Sequence, residues 1–350
     1  MRIGMFVQQV DERDWLRAFT LDWIRALAAR VEHVEVITLE QGKATLPANV
    51  AVHSMGKEHG YGRGRELLEY YRALGRIIRR VDVLFCHMTP RYTWLATPLA
   101  AIFRKPQVLW YTHRQDDWEL RLALAACRYV TTAVPDSFPI PSAKVRALGH
   151  GIDNNFFAPD PKVQPASPPL IVHVARLMPI KHQATLLRAL AAGVEAQAAI
   201  VGAVPQGQDD SYPQQLQTLA ESLGIADRVQ FTGGIAANAV RDLYRCAAIA
   251  VNLSPPGLFD KAALESMLTG IPTIVSNPAF DPLLGEYSDL LRISSPDDVQ
   301  GLVDSLKKVL ALPANLRTKM VEEIRLRVAA QHSLDGLMDR LVALMESAIE

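Results

Sequence analysis

Three charged residues, Asp260, Lys261 and Glu265, fall in the stretch LSPPGLFDKAALESMLTGIPTIVSN, at the mouth of one expected helix that stops at Gly270. A helix start carries unpaired N–H groups and a partial positive charge, so it favours an anion. Glu265, expected in the first turn, complements that charge by itself, whereas Lys261 beside it makes more sense if a second anion arrives. Arg176 and Lys181 raise the same chemistry elsewhere, in the segment RLMPIKH between an apolar run and a helical pattern. Arg offers a planar fork of donors and Lys a point charge, a pair suited to a diphosphate. The alternative is a solvated loop with two ordinary cations. His87 and His113 end the apolar runs VLFCH and QVLWYTH, where a histidine is either a capped structural residue or a site group. His113, framed by Tyr111 and Arg114, is the stronger site candidate.

Elements able to position these groups recur along the chain. Short runs rich in Val, Ile and Leu (RIGMFVQ, VEVITL, VLFCHM, QVLWYTH, YVTTAV) alternate with helical patterns. Such alternation implies a parallel sheet with helices on both faces. PKVQPASPP then interrupts the pattern with four prolines and reads as an interdomain linker. A second series follows, LIVHVAR, AAIVGA, VQFTGG, IAVNLS and TIVS. The expected fold class is therefore α/β, with two doubly wound domains whose strands point their carboxyl ends into a shared cleft.

At 350 residues the chain exceeds what one core usually sustains, in keeping with two domains. Lys plus Arg and Asp plus Glu each number 37, so no global field draws the protein to nucleic acid. Cys86, Cys127 and Cys246 are widely spaced, which fits reduced thiols in a cytoplasm. MRIGMFVQQVDERD reads as a first strand rather than a signal peptide, and WLATPLAAIF is too short to span a bilayer. The expectation is a soluble or, at most, peripheral protein. In GKEHGYGRGRELLEYYRALGRIIRR, Gly56 to Arg80, a glycine-rich loop bearing Glu58 precedes an amphipathic helix whose apolar face includes Leu67, Tyr70, Leu74 and Ile77. Its arginines are either a solvated face or a weak contact with anionic lipid.

In order and spacing these segments resemble the retaining glycosyltransferases of family 4, which have the GT-B architecture, over nearly the whole chain. HVARLMPIKHQATLLRAL, LGHGIDNNFFAPD, IVGAVPQG, VQFTGGI, LFDKAALESMLTGIPTIVS and WYTHR carry the resemblance, and QHSLDGLMDRLVALMESA is similar to a terminal helix that crosses back to the first domain. It implies an acceptor-binding domain over 1–160, a linker over 161–169, a nucleotide-sugar domain over 170–332 and a returning helix over 333–350. It further implies that Arg176 and Lys181 hold a donor diphosphate, that Glu265 accepts from the ribose hydroxyls, and that Gly202, Gly233, Gly234 and Ile235 approach the base. Lys261 falls near the phosphates, His113 beside the transferred sugar, and Glu58 and His87 on the acceptor side. The donor would be a UDP- or GDP-linked sugar, the acceptor a glycan, lipid or small molecule, with no metal required.

Two departures stand out. The position eight residues before Glu265, where the family's paired acids call for a Glu, is Gly257, so Asp260 is the carboxylate left to supply it. The turn after the first strand holds Gln9 and Asp11 in place of glycines. An alternative reading is therefore a catalytically weak nucleotide-sugar-binding partner. A dinucleotide oxidoreductase is disfavoured because neither first turn shows G-x-G-x-x-G.

Overall fold

Among the described residues, apolar runs bounded by helical segments become twelve parallel strands in two sheets. The computed structural model describes residues 1–13, 19–205, 207 and 210–350. Asp14 to Ala18, from the DERDWLRAF segment, and Gln206 of IVGAVPQG lie outside the described residues.

The first compact unit comprises Met1–Gly151 and Leu334–Glu350. Its strands are β1 (Arg2–Val10), β2 (His33–Gln41), β3 (Val50–Ser54), β4 (Val83–His87), β5 (Gln107–Trp110), β6 (Tyr129–Thr132) and β7 (Val145–Ala147), in the order β3-β2-β1-β4-β5-β6-β7. The central strands are buried along their length, β4 without exception, because helices cover both faces. The two edge strands, β3 and β7, do not stand out as apolar runs: VAVHS is half-buried throughout and VRA is only three residues long. The amphipathic segment is helical over Arg63–Ile77 and buries Tyr70, Ala73, Leu74 and Ile77, but leaves Leu67 exposed. The terminal helix Leu334–Ile349 packs on this unit through Leu337, Met338, Leu341 and Met345. Arg30 bonds Asp335 and Asp339 at 2.8 and 2.6 Å, and Arg340 donates to the Leu148 carbonyl at 3.0 Å.

The second unit comprises Ile152–Ser333. Its strands are β8 (Leu170–Val174), β9 (Gln197–Val201), β10 (Val229–Gly233), β11 (Ile249–Asn252) and β12 (Thr273–Val275), ordered β10-β9-β8-β11-β12. Ile171 pairs with Ile249 and Val172 with Ala250, so the first and fourth strands of this unit are neighbours. The chain builds outward from β8 on one side and then returns to build on the other. The crevice above β8 and β11 is thus the topological switch point, where open α/β sheets bind ligands.

The proline-rich segment expected to separate the domains belongs to the second unit, and the division falls instead at Gly151 and Ile152 and again at Ser333 and Leu334. Its backbone is in use there. Ala166 donates to the Cys246 carbonyl at 2.8 Å, and just ahead of the segment Arg245 donates to the Ala158 carbonyl at 2.7 and 3.0 Å. Prolines exclude regular structure here without freeing the chain from its neighbours. Among the described residues, no helix is long and apolar enough to cross a membrane.

Candidate active site

The residues expected to hold a donor lie in the segments that follow strands of the second sheet. After β8 the chain runs through Arg176 to a short turn, Pro179–Lys181, whose proline sets φ and whose Lys181 points inward. After β11 it runs through Ser254 to the helix Lys261–Leu268. The two loops meet in an ion pair. Lys181 Nζ donates to Asp260 Oδ2 at 2.5 Å and to Ser254 Oγ at 2.9 Å. The Ser254 hydroxyl donates to the same Asp260 oxygen in a short contact, and Asn252 Nδ2 donates to it at 3.2 Å.

Burial disfavours the Asp260 charge, yet Lys181, Ser254 and Asn252 outweigh that cost and hold the carboxyl below its ordinary value. Lys181 therefore sits fully paired in a site where an unpaired ammonium would be costly. The partner loop is firmly held: Ser276 Oγ donates to the Ser254 carbonyl at 3.0 Å, Asn277 Nδ2 to the Leu258 carbonyl at 3.0 Å, and Phe259 stacks on Phe280 at 4.3 Å.

Glu265 is the fifth residue of its helix, one turn deeper than the first turn expected from the sequence. It retains part of its surface. Burial pushes its carboxyl up to about 7, against the pull of Lys261 and with a smaller push from Asp260. Arg176 is exposed beyond the β8 end, and its guanidinium has no hydrogen-bond or ion-pair partner among the described residues.

Gly202 and Gly233 join the ends of β9 and β10, with the Gly202 amide donating to the Gly233 carbonyl at 2.9 Å. A Cβ on Gly202 would lie 1.9 Å from the Ala175 carbonyl oxygen, so glycine is required there by contact with the β8 loop. Gly234 is exposed and Ile235 half-buried beside them. Gly257 has its own backbone reason. Leu258 N bonds the Pro255 carbonyl at 3.1 Å, closing a turn in which Pro256 and Gly257 (φ 86°) take the two central positions. That is the arrangement of a type II turn, whose third residue needs positive φ. The missing acid is therefore a change of backbone as well as of side chain.

The first unit presents its candidates at the carboxyl ends of its own strands. His113 lies three residues beyond β5, exposed, with Tyr111 edge-on to its ring at 5.7 Å. His87 ends β4 and is buried against Trp23, whose ring centroid is 4.6 Å away and which also packs edge-on against Trp110 at 4.8 Å. Glu58 accepts from Ser54 Oγ at 2.5 Å and from the Gln41 amide at 3.1 Å. Burial works against its charge, but these donors prevail and keep its carboxyl below the ordinary value. In this structure Glu58 ties together the ends of β2 and β3.

Sequence reasoning missed Asn252, Ser254 and His173. All three are polar residues in or directly after buried strands, IAVNLS and LIVHV, and polarity at such positions was the available signal. His173 is buried, neither ring nitrogen has a hydrogen-bond partner among the described residues, and burial drives its pKa down to about 4.

The family model for glycosyl transferases group 1 matches residues 156–327, and that for glycosyl transferase 4-like domains matches residues 10–119. The residues matched to group 1 lie within the second unit, and those matched to the 4-like domains lie within the first. The GDP-mannose-dependent alpha-(1-6)-phosphatidylinositol monomannoside mannosyltransferase of Mycobacterium tuberculosis is 28% identical over 190 residues, covering 49% of this chain and 48% of its own. The D-inositol 3-phosphate glycosyltransferase of Mycobacterium bovis is 26% identical over 214 residues, covering 59% of this chain and 44% of its own. The chain thus matches about half the length of these curated relatives. Among solved structures, Anabaena Alr3699/HepE in complex with UDP and glucose superposes with a TM-score of 0.76 at 17% identity, over 99% of this chain and 100% of that one. At that identity the likeness shows the fold, which is GT-B, with two doubly wound units built on seven and five parallel strands. The family model that matches the second unit spans the whole Lys181, Ser254, Asp260 and Glu265 constellation.

Proposed function

We propose that this glycosyltransferase moves a sugar from a nucleoside-diphosphate sugar to a hydroxyl acceptor with retained anomeric configuration and without a metal ion. The observation that carries the proposal is the meeting of Lys181 and Asp260 above β8 and β11, beside the start of the Lys261–Leu268 helix. Departure of a nucleoside diphosphate builds negative charge on its oxygens. Arg176, Lys181 and the helix N-terminus would stabilise that charge as it develops, which is where electrostatic catalysis acts. Glu265, ionised above about pH 7, would accept from ribose hydroxyls, and Gly202, Gly233, Gly234 and Ile235 would border the base. Lys261 would lie near the phosphates and His113 beside the sugar. Asp260, paired with Lys181, would then be the carboxylate beside the diphosphate.

The relatives named above act on GDP-mannose and inositol-bearing acceptors, and the solved neighbour holds UDP and glucose, so UDP- and GDP-linked hexoses are the donors to try first. A glycolipid or polyol acceptor agrees with the same relatives, and Glu58 and His87 mark the strand ends of the unit that would receive it. Among the described residues, no cluster of three His, Cys, Asp or Glu side chains is placed to hold a metal ion. The positive charge required at the leaving group is instead available from side chains.

The test is turnover of UDP- and GDP-sugars with polyol and glycolipid acceptors, the product anomer being read by proton NMR. A product with the donor's anomeric configuration is expected; an inverted product would overturn the retaining assignment. Gly257 favours one other reading, a protein that binds the donor without turning it over, because the acid absent there cannot be restored without changing the turn. Tight donor binding with no turnover on any acceptor would select it.

A further inference from the structure

We propose that Asp260 is the internal counter-anion of the diphosphate site: its carboxylate occupies Lys181 in the ligand-free protein and gives way to phosphate when the donor arrives. This rests on the donor reading above and adds to it a competitor built into the chain.

Three observations lead there. The Lys181 side chain is 6% exposed and that of Asp260 24%, so the carboxylate lies on the solvent side of the ammonium it covers. A ligand entering from solvent meets Asp260 first. Secondly, Lys181, Ser254 and Asn252 all bond one oxygen, Oδ2, while Oδ1 receives no hydrogen bond from the described residues. The carboxylate is held as a single-point plug on the cation.

Thirdly, Asp260 occupies the cap position of the Lys261–Leu268 helix with extended backbone (φ −79°, ψ 134°), yet its side chain caps nothing. An Asp at that position ordinarily accepts from the second or third helical amide, here Ala262 or Ala263, and stabilises the helix start. Asp260 forgoes that bond for Lys181. It therefore has a second berth one side-chain rotation away, which lowers the cost of leaving the first. With phosphate on Lys181, the carboxylate would take one of the helix's four unpaired N–H groups and leave the others for the phosphate, where at present it serves only the ammonium. The exchange needs no backbone movement.

The experiment is calorimetric titration of UDP, GDP and ADP into wild type, Asp260→Asn, Lys181→Met and the double variant. Asparagine keeps the shape and can still accept from Ser254 but no longer neutralises Lys181, so the nucleotide that binds wild type should bind Asp260→Asn about tenfold more tightly. Lys181→Met should bind it more weakly, and the gain from Asp260→Asn should vanish in that background. Asp260→Ser, uncharged and itself a good cap residue, serves as the second variant should the Asn protein fold poorly, and should show the same tightening. Unchanged or weaker binding in a folded Asp260 variant would overturn the proposal, as would a gain that persists without Lys181. If wild type binds none of the three nucleotides while remaining folded, the donor reading itself fails and takes this inference with it.

Discussion

Replacing Glu265 with Gln should make the protein more stable and worse at holding its donor. Its carboxyl, ordinarily near 4.5, is pushed to about 7 because burial disfavours the charge more strongly than Lys261 favours it. The folded-state value lies above the ordinary one, so folding favours the protonated form. That contribution is whole below about 4.5 and is lost as the pH rises through about 7. At 1.36 kcal/mol per pH unit the full gap corresponds to a ceiling of about 3.4 kcal/mol. Glu265 keeps some contact with water, so about 2 kcal/mol is the working figure near pH 8.5, and under about 1 kcal/mol near pH 5.5. Gln carries no charge to bury and escapes this cost. Urea unfolding at the two pH values should show Glu265→Gln gaining on wild type as pH rises. Nucleotide affinity should meanwhile fall about tenfold or more, for loss of a charge-assisted hydrogen bond to the ribose. A variant no more stable than wild type near pH 8.5, or one whose gain is the same at both pH values, would refute the argument.

Arg176→Ala and Lys181→Ala should each weaken nucleoside-diphosphate binding by about 1.5 to 3 kcal/mol, measured by calorimetry; wild-type affinity in both would mean the diphosphate lies elsewhere. Turnover should survive excess EDTA, and a complete loss restored by Mg²⁺ or Mn²⁺ would contradict charge stabilisation by side chains alone. Gly257→Glu, which reinstates the family's second acid, should cost about 1 to 2 kcal/mol in urea unfolding because φ there is 86°; an unchanged midpoint would remove the backbone argument.

Strands β8, β9, β11 and β12 were legible because a parallel strand buried on both faces reads as a largely apolar run, as in LIVHV or IAVN; β10, VQFTG, was legible too although it is an edge strand with no buried residue. At the edges of the first sheet that signal fails: β3 is half-buried and β7 too short, so neither stood out. Arg176, Lys181, Lys261 and Glu265 were legible as charges beside strand ends. Their pairing was not. Lys181 and Asp260 are 79 residues apart, and only the adjacency of β8 and β11 brings them within 2.5 Å. Asp260, expected from the resemblance to stand in for the acid missing at Gly257, thus has a partner that the sequence does not show. The Glu265 environment was equally hidden, since burial by neighbours from other elements sets its pKa. The observed division differs from the expected linker for a local reason: proline content reports where regular structure stops, whereas the amide of Ala166 has its partner in the second unit.

The central claim is that a nucleoside-diphosphate sugar is held on the second unit at the carboxyl ends of β8 and β11. Its most direct test is calorimetric titration of UDP-glucose, GDP-mannose, UDP and GDP into wild type and an Arg176→Ala/Lys181→Met double variant. At least one sugar nucleotide and its diphosphate should bind wild type with a dissociation constant in the micromolar range, on the order of −8 kcal/mol, and binding should fall at least about a hundredfold in the double variant. Binding that is equally tight in the folded double variant, or no binding of any of the four to wild type, would contradict it.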